Sequence, residues 1–219
     1  MNIVVVYVYP QLKLRLYYPL AKRFAESWQR FPPHTDHQLY VVLNGGDASL
    51  IDRAPFNDIS CQMVVHSNLG WDVGAYQMIA QSVECDLLIC LGAPAHFHKP
   101  NWMEKMVEAY LINGPGLYGC WAYLTPNWHV RTTIFWVHPQ LLNSYPFTVT
   151  NSRASRYEFE HGNKSFTRHV MKSGFGCYMV TQTACFPFDQ WRNNVPGPQE
   201  SLVLDQFTFD PKISNLKMR

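Results

Sequence analysis

The chain has 219 residues, 47% of them hydrophobic and only 16% charged, with a formal net charge of +2. That length suits one domain, or one domain with a lobe, and buries enough surface to fold without staples. The apolar fraction excludes a disordered chain, and the near-neutral balance supplies neither a strongly basic face for nucleic acid nor an acidic tail.

Residues 3–8 form a continuous β-branched run, the pattern of a strand buried on both faces. In "YYPLAKRFAESWQRF" Leu20, Phe24 and Trp28 recur every four residues, predicting a helix that Pro32-Pro33 stops. "LYVVLNGG" and "CQMVVHS" read as second and third buried strands. "GWDVGAYQMIAQSV" reads as a helix with Val73, Tyr76, Ile79 and Ala80 on its inner face. "CDLLICLG" is a fourth strand, and "PNWMEKMVEAYLING" a helix with Trp102, Met106, Val107, Tyr110 and Leu111 inward, ended by Asn113-Gly114-Pro115. Beyond it, "GLYGCWAYL", "TTIFWVHP" and "CYMVTQ" read as strands, with a polar helix within residues 151–174. From Asn193 onward the Pro-, Asn- and Gln-rich composition reads as an extended tail or arm.

Strands alternating with helices predict βαβ units and a mostly parallel sheet. Ligands in open α/β sheets bind beyond the carboxyl ends of the strands. This rule gathers Tyr7, Val8, Tyr9 and Pro10, Asn44, Gly45 and Gly46, Ser67 and Asn68, and Gly92, Ala93 and Pro94 around one crevice.

The six cysteines, Cys61, Cys85, Cys90, Cys120, Cys177 and Cys185, form no C-x-x-C pair. Several lie in apolar runs where a thiol packs as a small hydrophobe, so they are expected reduced, in a cytoplasmic compartment. The amino-terminal run is short, lacks a basic lead and ends in Pro10-Gln11, unlike a leader. No stretch reaches the roughly 18 apolar residues of a membrane span, so a soluble protein is expected. The 7 Trp, 12 Tyr and 13 Phe fit either an aromatic core or a site lined by rings with polar handles.

Missing motifs narrow the chemistry. No G-x-G-x-x-G follows the first strand, which disfavours a dinucleotide fold. There is also no P-loop and no G-x-S-x-G elbow, which sets aside P-loop phosphate binding and α/β-hydrolase chemistry.

The most informative positive segment is "SNLGWDVGAYQMIA". Gly70 and Gly74 would let backbone approach a ligand, and a helix beginning near Asp72 would aim free N–H groups at a diphosphate. The Asp72 carboxylate either caps that helix or binds a ribose or sugar hydroxyl.

At these residues the chain resembles the GT-A class of glycosyltransferases. Such sequences carry Asn-x-Gly and a Gly-containing helix start after the third strand, then a strand leading to a metal-binding Asp-x-Asp, then a helix like "NWMEKMVEAY". Asn68, Gly70, Asp72 and Gly74 match that layout, and "NLGWDVGAYQ" with "TTIFWVHPQLL" looks closest to the rhamnan-synthesis, rhamnosyltransferase-like branch.

The resemblance covers roughly residues 1–185. It implies a GT-A-like (Rossmann-like) α/β fold with a mostly parallel central sheet flanked by helices. Residues 1–115 would form the nucleotide-sugar half, 116–193 a smaller acceptor-side β/α half, and 194–219 the tail. The implied activity is hexosyltransferase-like and serves polysaccharide or other glycan synthesis. It moves a sugar from a nucleotide-diphosphate sugar to a saccharide or glycoconjugate, with no nucleic-acid partner and no transmembrane segment expected. A catalytically silent carbohydrate- or nucleotide-sugar-binding relative is the alternative.

One departure matters. Where the class places Asp-x-Asp, this chain has "CLGAPAHFH". Divalent cations such as Mn or Mg bound with pyrophosphate prefer oxygen ligands, and Gly92, Ala93 and Pro94 supply no side-chain carboxylate. His96 and His98 would face one side of an extended segment, as ligands of a softer metal or as ordinary loop histidines. The resemblance thus implies a transferase that works without metal or binds it differently. Helix N-terminal amides, Lys99, Arg131, Arg153, Arg156 or Lys164 would then neutralise the leaving diphosphate.

In inverting members of the class, an acidic element precedes a Gly-ended helix and its carboxylate deprotonates the acceptor hydroxyl. Glu158, Glu160 and His161 occupy that place, with Gly174 at the helix end. If "YEFEHG" is extended, Glu158 and Glu160 share a face. Glu160 is taken as the base, with Glu158 in reserve and surface pairing with Arg153 and Arg156 as the competing explanation. Phe135, Trp136 and His161 are the expected acceptor contacts.

Overall fold

The computed structural model describes residues 1–12, 14–46, 53–123, 127–194 and 196–205. Five strands and three helices alternate first: β1 (Ile3–Pro10), α1 (Leu14–Arg30), β2 (Gln38–Asn44), β3 (Gln62–His66), α2 (Trp71–Ser82), β4 (Leu87–Leu91), β5 (Ala95–Phe97) and α3 (Trp102–Asn113). The remaining elements are β6 (Gly116–Gly119), β7 (Ala122–Tyr123), β8 (His129–Val130), β9 (Ile134–Val137), α4 (Pro139–Asn143), α5 (Arg153–His161), α6 (Phe166–Lys172), β10 (Gly176–Val180), β11 (Cys185–Pro187) and β12 (Val203–Asp205).

Eight strands form one sheet in the order β11-β10-β6-β9-β4-β1-β2-β3. Strands β3, β2, β1 and β4 run parallel, β9 lies antiparallel between β4 and β6, and β10 runs parallel to β6. The fold is therefore a mixed α/β architecture with a large, mostly parallel central sheet flanked by helices. Alternate residues of β1 feed two cores, as a strand covered on both faces requires. Ile3, Val5, Tyr7 and Tyr9 pack with Phe24 and Trp28 of α1, and Val4, Val6 and Val8 pack with Tyr76 and Ile79 of α2.

Several sequence expectations change in detail. Strand β3 is an edge strand, so only one side is paired and Val65 is 48% exposed rather than buried. On α3 the inner face is Trp102, Met103, Met106, Ala109 and Tyr110, whereas Leu111 is 68% exposed and Val107 only partly buried. The polar stretch over 151–174 contains two helices, α5 and α6. The segment after Asn193, expected to be extended, turns through a 3-10 helix at Pro198–Glu200 before the strand β12, and it is also core: Ser201, Leu202, Val203 and Asp205 are fully buried, and β12 pairs antiparallel with β5; residues 206–219 lie outside the described residues. The six thiols are free. No helix among the described residues is long and apolar enough to cross a membrane.

Candidate functional site

The parallel register carries the ends of β1, β2 and β3 to one level, with Pro10 beside Asn44 and Asn44 beside His66. Leu91 of β4 lies beside Tyr7, so the chain leaves β4 at Gly92 on the same side. The four gathered segments thus do converge. Their side chains divide sharply, however. Tyr7, Val8 and Tyr9 are wholly buried; Tyr7 stacks on Phe24 with ring centroids 3.8 Å apart, and its hydroxyl donates to the Ala93 carbonyl at 2.8 Å. These three side chains, expected at the ligand, are sheet core, and Ala93 and Pro94 are buried beside them.

The Asn44 side chain pairs with His66 through Oδ1 and Nδ1 at 2.7 Å, and its buried Nδ2 has no partner among the described residues. Burial lowers the His66 pKa, so this ring enters the pair neutral.

The turn into α2 is held in left-handed backbone at Asn68 (φ 69°), Gly70 (φ 76°) and Trp71 (φ 57°). Such conformations cost about 1–3 kcal/mol at a non-glycine residue and persist where surrounding contacts over-determine them. Here Asn151 Oδ1 accepts from the Gly70 amide at 2.7 Å, pinning the turn to the loop before α5. A Cβ on Gly74 would lie 1.8 Å from the Leu69 carbonyl oxygen, so this glycine is required by the turn's own packing. Gly70, not Asp72, occupies the N-cap position, which removes the capping reading of Asp72.

Freed from capping, Asp72 turns inward over the end of β4. A Cβ built on Gly92 would meet Asp72 Oδ2 at 3.3 Å. The end of β4, which carries no carboxylate of its own at Gly92-Ala93-Pro94, thus has the Asp72 carboxylate of the neighbouring helix beside it.

Opposite it stands α5. Phe159 is fully buried and stacks on Phe166, which fixes the rotation of α5. Residues four apart share a helix face, so Arg156 and Glu160 rise together toward the start of α2. The Arg156 guanidinium lies 5.0 Å from the centre of the Trp71 ring, and its charge is felt by Asp72, Glu160 and Tyr17 of α1. Glu160 Oε1 accepts from the Thr132 amide at 3.3 Å, and Oε2 lies 3.7 Å from His161 Nδ1. On the far side of Glu160, Arg131 pairs with the buried Asp205 at 2.9 Å.

The two carboxylates titrate in opposite directions. Burial pushes Asp72 up to about 6; Arg156 opposes that shift and Glu160 adds to it. Burial also pushes Glu160 up, but the Thr132 amide, Arg156, His129 and Arg131 together outweigh it and hold its carboxyl below the usual range. His129 and His161 are lowered, mainly by burial. At neutral pH the cluster is an ionised Glu160, a largely ionised Asp72 and neutral imidazoles around Arg156.

Other expected residues fall elsewhere. Because α5 is helical, Glu158 and Glu160 flank Phe159 rather than sharing a face, and Glu158 instead accepts from the Lys164 amide at 3.3 Å. Phe135 and Trp136, expected at the acceptor, are buried in the central strand β9: Phe135 packs edge-on against Tyr76, and Trp136 stacks on Tyr118. Of the five cations expected to meet a diphosphate, only Arg131 and Arg156 belong to this cluster. Lys99 is tied to the Gln199 carbonyl and Lys164 lies over the Phe147 ring. Tyr17, Thr132, Asn151 and Asp205 carry no sequence motif; the i, i+4 spacing of Arg156 and Glu160 is the one signal a helical reading of α5 would have exposed.

The donor set at the end of β4 does not fit a divalent cation. Asp205 is committed to Arg131, Glu160 sits among cations, and no group of three or more His, Cys, Asp and Glu side chains among the described residues could hold an ion.

Comparison with known proteins places the architecture. No family model matches the chain and no curated protein matches it. Among solved structures, a mannosyltransferase from Pyrobaculum calidifontis in complex with GDP-Man and Mn2+ superposes with a TM-score of 0.59 at 14% identity, over 83% of this chain and 55% of that one. Mouse xyloside xylosyltransferase 1 gives 0.53 at 8% identity, over 82% and 85%. A Bacillus anthracis protein described as a putative glucose-1-phosphate thymidylyltransferase gives 0.52 at 12% identity, over 90% and 98%. At such identities the likeness is one of fold: this chain has the architecture shared by GT-A-like glycosyltransferases and sugar nucleotidyltransferases.

Proposed function

We propose that the protein is a glycosyltransferase that uses a nucleotide-diphosphate sugar, and that it belongs near the rhamnosyltransferase-like branch with the Asp-x-Asp element replaced. The observation that carries this reading is the Asp72–Arg156–Glu160 cluster at the carboxyl end of a GT-A-like sheet. Two carboxylates of opposite pKa shift and one accessible guanidinium meet there, the arrangement expected of acid–base chemistry beside an anionic leaving group.

In this mechanism the donor lies across the ends of β1, β2 and β4. The Asn68–Trp71 turn meets its polar groups, the buried Asn44–His66 pair supports that end of the sheet from below, and Asp72 accepts from a sugar or ribose hydroxyl. The Glu160 carboxylate takes the proton from an acceptor saccharide hydroxyl. That oxygen bonds to the anomeric carbon as the bond to the diphosphate breaks, inverting the centre. The electron pair leaves on the diphosphate, whose charge Arg156 offsets with its planar, permanently ionised fork. His161, 3.7 Å from Glu160, borders the acceptor side.

The test is a panel of nucleotide sugars read by thermal shift and by slow donor hydrolysis. A raised Tm with turnover is expected, and Arg156→Met should weaken both. Stabilisation without turnover would establish the silent sugar-binding alternative. Formation of a nucleotide sugar from a nucleoside triphosphate and a sugar phosphate would replace the reading by nucleotidyl transfer.

A further inference from the structure

Asp205 takes no part in the transfer mechanism, yet it is a fully buried carboxylate beside the site. The strands carry it there. Its register partner in β5 is Ala95, whose amide donates to the Gly92 carbonyl at the end of β4. Ser201 Oγ donates to the Val203 carbonyl at 2.7 Å, which steadies the start of β12. From β12 Asp205 pairs with Arg131 at 2.9 Å, and only 11% of the Arg131 side chain is exposed.

Arg131 opens the loop 131–133, and each residue of that loop is tied down. The Arg131 amide donates to the Trp121 carbonyl at 3.1 Å, and its guanidinium donates to the Tyr123 hydroxyl at 3.4 Å. The Thr132 amide donates to Glu160 at 3.3 Å. The Thr133 carbonyl accepts from the Gly92 amide at 2.7 Å. Just before the loop, the Val130 amide donates to the buried Thr167 hydroxyl of α6 at 2.9 Å. These contacts close a ring that runs from Gly92 to Ala95, on to Asp205 and Arg131, and back through Thr133 to Gly92. Glu160 is joined to that ring by the Thr132 amide. A buried ion pair adds little net stability over well-packed apolar side chains, because desolvation offsets its attraction. What an arginine–carboxylate pair at hydrogen-bond distance does supply is a fixed direction as well as a fixed separation.

We propose that Asp205 is a positioning residue for the base: by holding Arg131 it sets the loop 131–133, and the loop sets the Glu160 carboxylate against the end of β4. This inference rests on the reading of Glu160 as the base of a sugar transfer. It makes β12 a working part of the site.

The surrounding charges give the inference a sign. Glu160 is faced by Arg156 and His161 of its own helix, His129 of β8, Arg131 of the loop and Asp72 of α2. Arg131 is one of the groups that hold its carboxyl below the usual range. Asp205 is faced by Arg131 and, from α1, by Arg23. Removing the Asp205 charge leaves Arg131 acting on Glu160 without that counterweight, so Glu160 becomes a weaker base. Removing the Arg131 charge does the opposite. A purely structural role would loosen the loop in both variants and move Glu160 the same way.

The experiment follows the Glu160 carboxyl itself, by NMR of the intact protein carrying carbon-13 at its glutamate carboxyl carbons, with the signal assigned through Glu160→Gln. Asp205→Asn is expected to move the Glu160 titration to lower pH and Arg131→Met to higher pH, each by about one pH unit. Arg131→Lys keeps a charge beside Asp205 and should bring the titration back toward that of the native protein. The double variant Arg131→Met/Asp205→Asn removes the pair together and serves where a single change unfolds the chain. Its titration should move upward, as in Arg131→Met. With a nucleotide sugar that turns over, kcat of Asp205→Asn should fall about tenfold to a hundredfold while the donor KM stays within about threefold. Movement of Glu160 in the same direction in both single variants, or none in the double variant, would overturn the inference. A raised KM at unchanged kcat would overturn it as well. The titration needs no substrate, so the two readings fail separately. Absence of turnover on every nucleotide sugar counts against the transferase, whereas an unmoved titration in an active enzyme counts against the link from Asp205.

Discussion

The end of β4 and the corner between α2 and α5 face the same crevice and are built in opposite ways. At β4 the chain turns through Gly92-Ala93-Pro94, buried and without a charge of its own. At the helical corner Asp72, Arg156 and Glu160 meet, each carried by a helix whose rotation is fixed by a buried neighbour: Val73 and Tyr76 for α2, Phe159 for α5. The strand end gives space, and the helices give charge. On the proposed reading, the charge for the chemistry then comes from helical side chains and not from the strand end.

The sharpest way to break that comparison is to neutralise Glu160. Glu160→Gln keeps shape and the acceptor for the Thr132 amide but removes the negative charge. Transfer is expected to fall about 10²–10⁴-fold, the usual contribution of a general base, with donor binding retained. Retained transfer would move the base elsewhere in the cluster, and single-turnover rates on a responsive nucleotide sugar decide the matter.

A comparison of two glycines follows in size. Gly74→Ala puts a methyl 1.8 Å from the Leu69 carbonyl oxygen and 2.9 Å from its carbon, both backbone. Overpacking of that kind costs at least about 1–3 kcal/mol, so Tm should drop by several degrees. Gly92→Ala meets Thr133 Cγ2 at 3.0 Å and, at 3.3 Å, both Asp72 Oδ2 and the Thr133 carbonyl oxygen, all far looser than the 1.8 Å approach at Gly74. It should cost little stability and yet impair ligand binding, because the methyl displaces the carboxylate. If Gly92→Ala were the more destabilising of the two, the division between a spacious strand end and a tightly packed helical turn would fail.

Asp72 offers a subtler test. Its pKa rises from an unfolded value near 3.9 to about 6, so in that interval the folded state holds more protons than the unfolded one. Stability from this group therefore declines as pH rises from about 4 to 6, and the penalty is fully present above that. Two units correspond to roughly 2–3 kcal/mol as an upper figure. Asp72→Asn should accordingly raise Tm at pH 8, lose the gain near pH 4, and weaken nucleotide-sugar binding throughout. Glu160 runs the other way: its depressed carboxyl contributes stability above its unfolded value, lost as pH falls through the folded one. Tm of the two variants against pH should therefore diverge in sign.

The alternation of β1 through β4 with α1 and α2 was legible because continuous β-branched runs and a four-residue apolar period are strong local signals. The gathering of Asn44, Asn68 and Gly92 followed from element order alone. What the pattern could not show was rotation and depth. Tyr7, Tyr9 and Trp136 carry polar atoms that suit a ligand, yet strands covered on both faces leave such rings nowhere to go but the core. "YEFEHG" alternates as a strand would, and the deciding facts are non-local: Phe159 docking on Phe166 and the Ser152 hydroxyl accepting from the Ser155 amide to start a helix. Asp205 is beyond any local reading, since its neighbour Arg131 is brought to it by the β5–β12 pairing and the loop before β9.

The smallest expected effect completes the contrast within α5. Glu158 lies two residues before Glu160, on the other flank of Phe159, where its Oε2 receives the Lys164 amide and its side chain covers Gly162. It closes the turn between α5 and α6 and does not face Asp72. Glu158→Gln retains an acceptor oxygen at that position, so the loss is the charge on one partly exposed hydrogen bond, no more than about 1 kcal/mol. Transfer should be unchanged within twofold, measured beside Glu160→Gln under the same conditions. A Glu158→Gln variant as inactive as Glu160→Gln would mean that the base comes from the opposite side of α5, and the corner would have to be redrawn around Lys164 and Tyr145, whose hydroxyl donates to the Lys164 carbonyl at 2.7 Å.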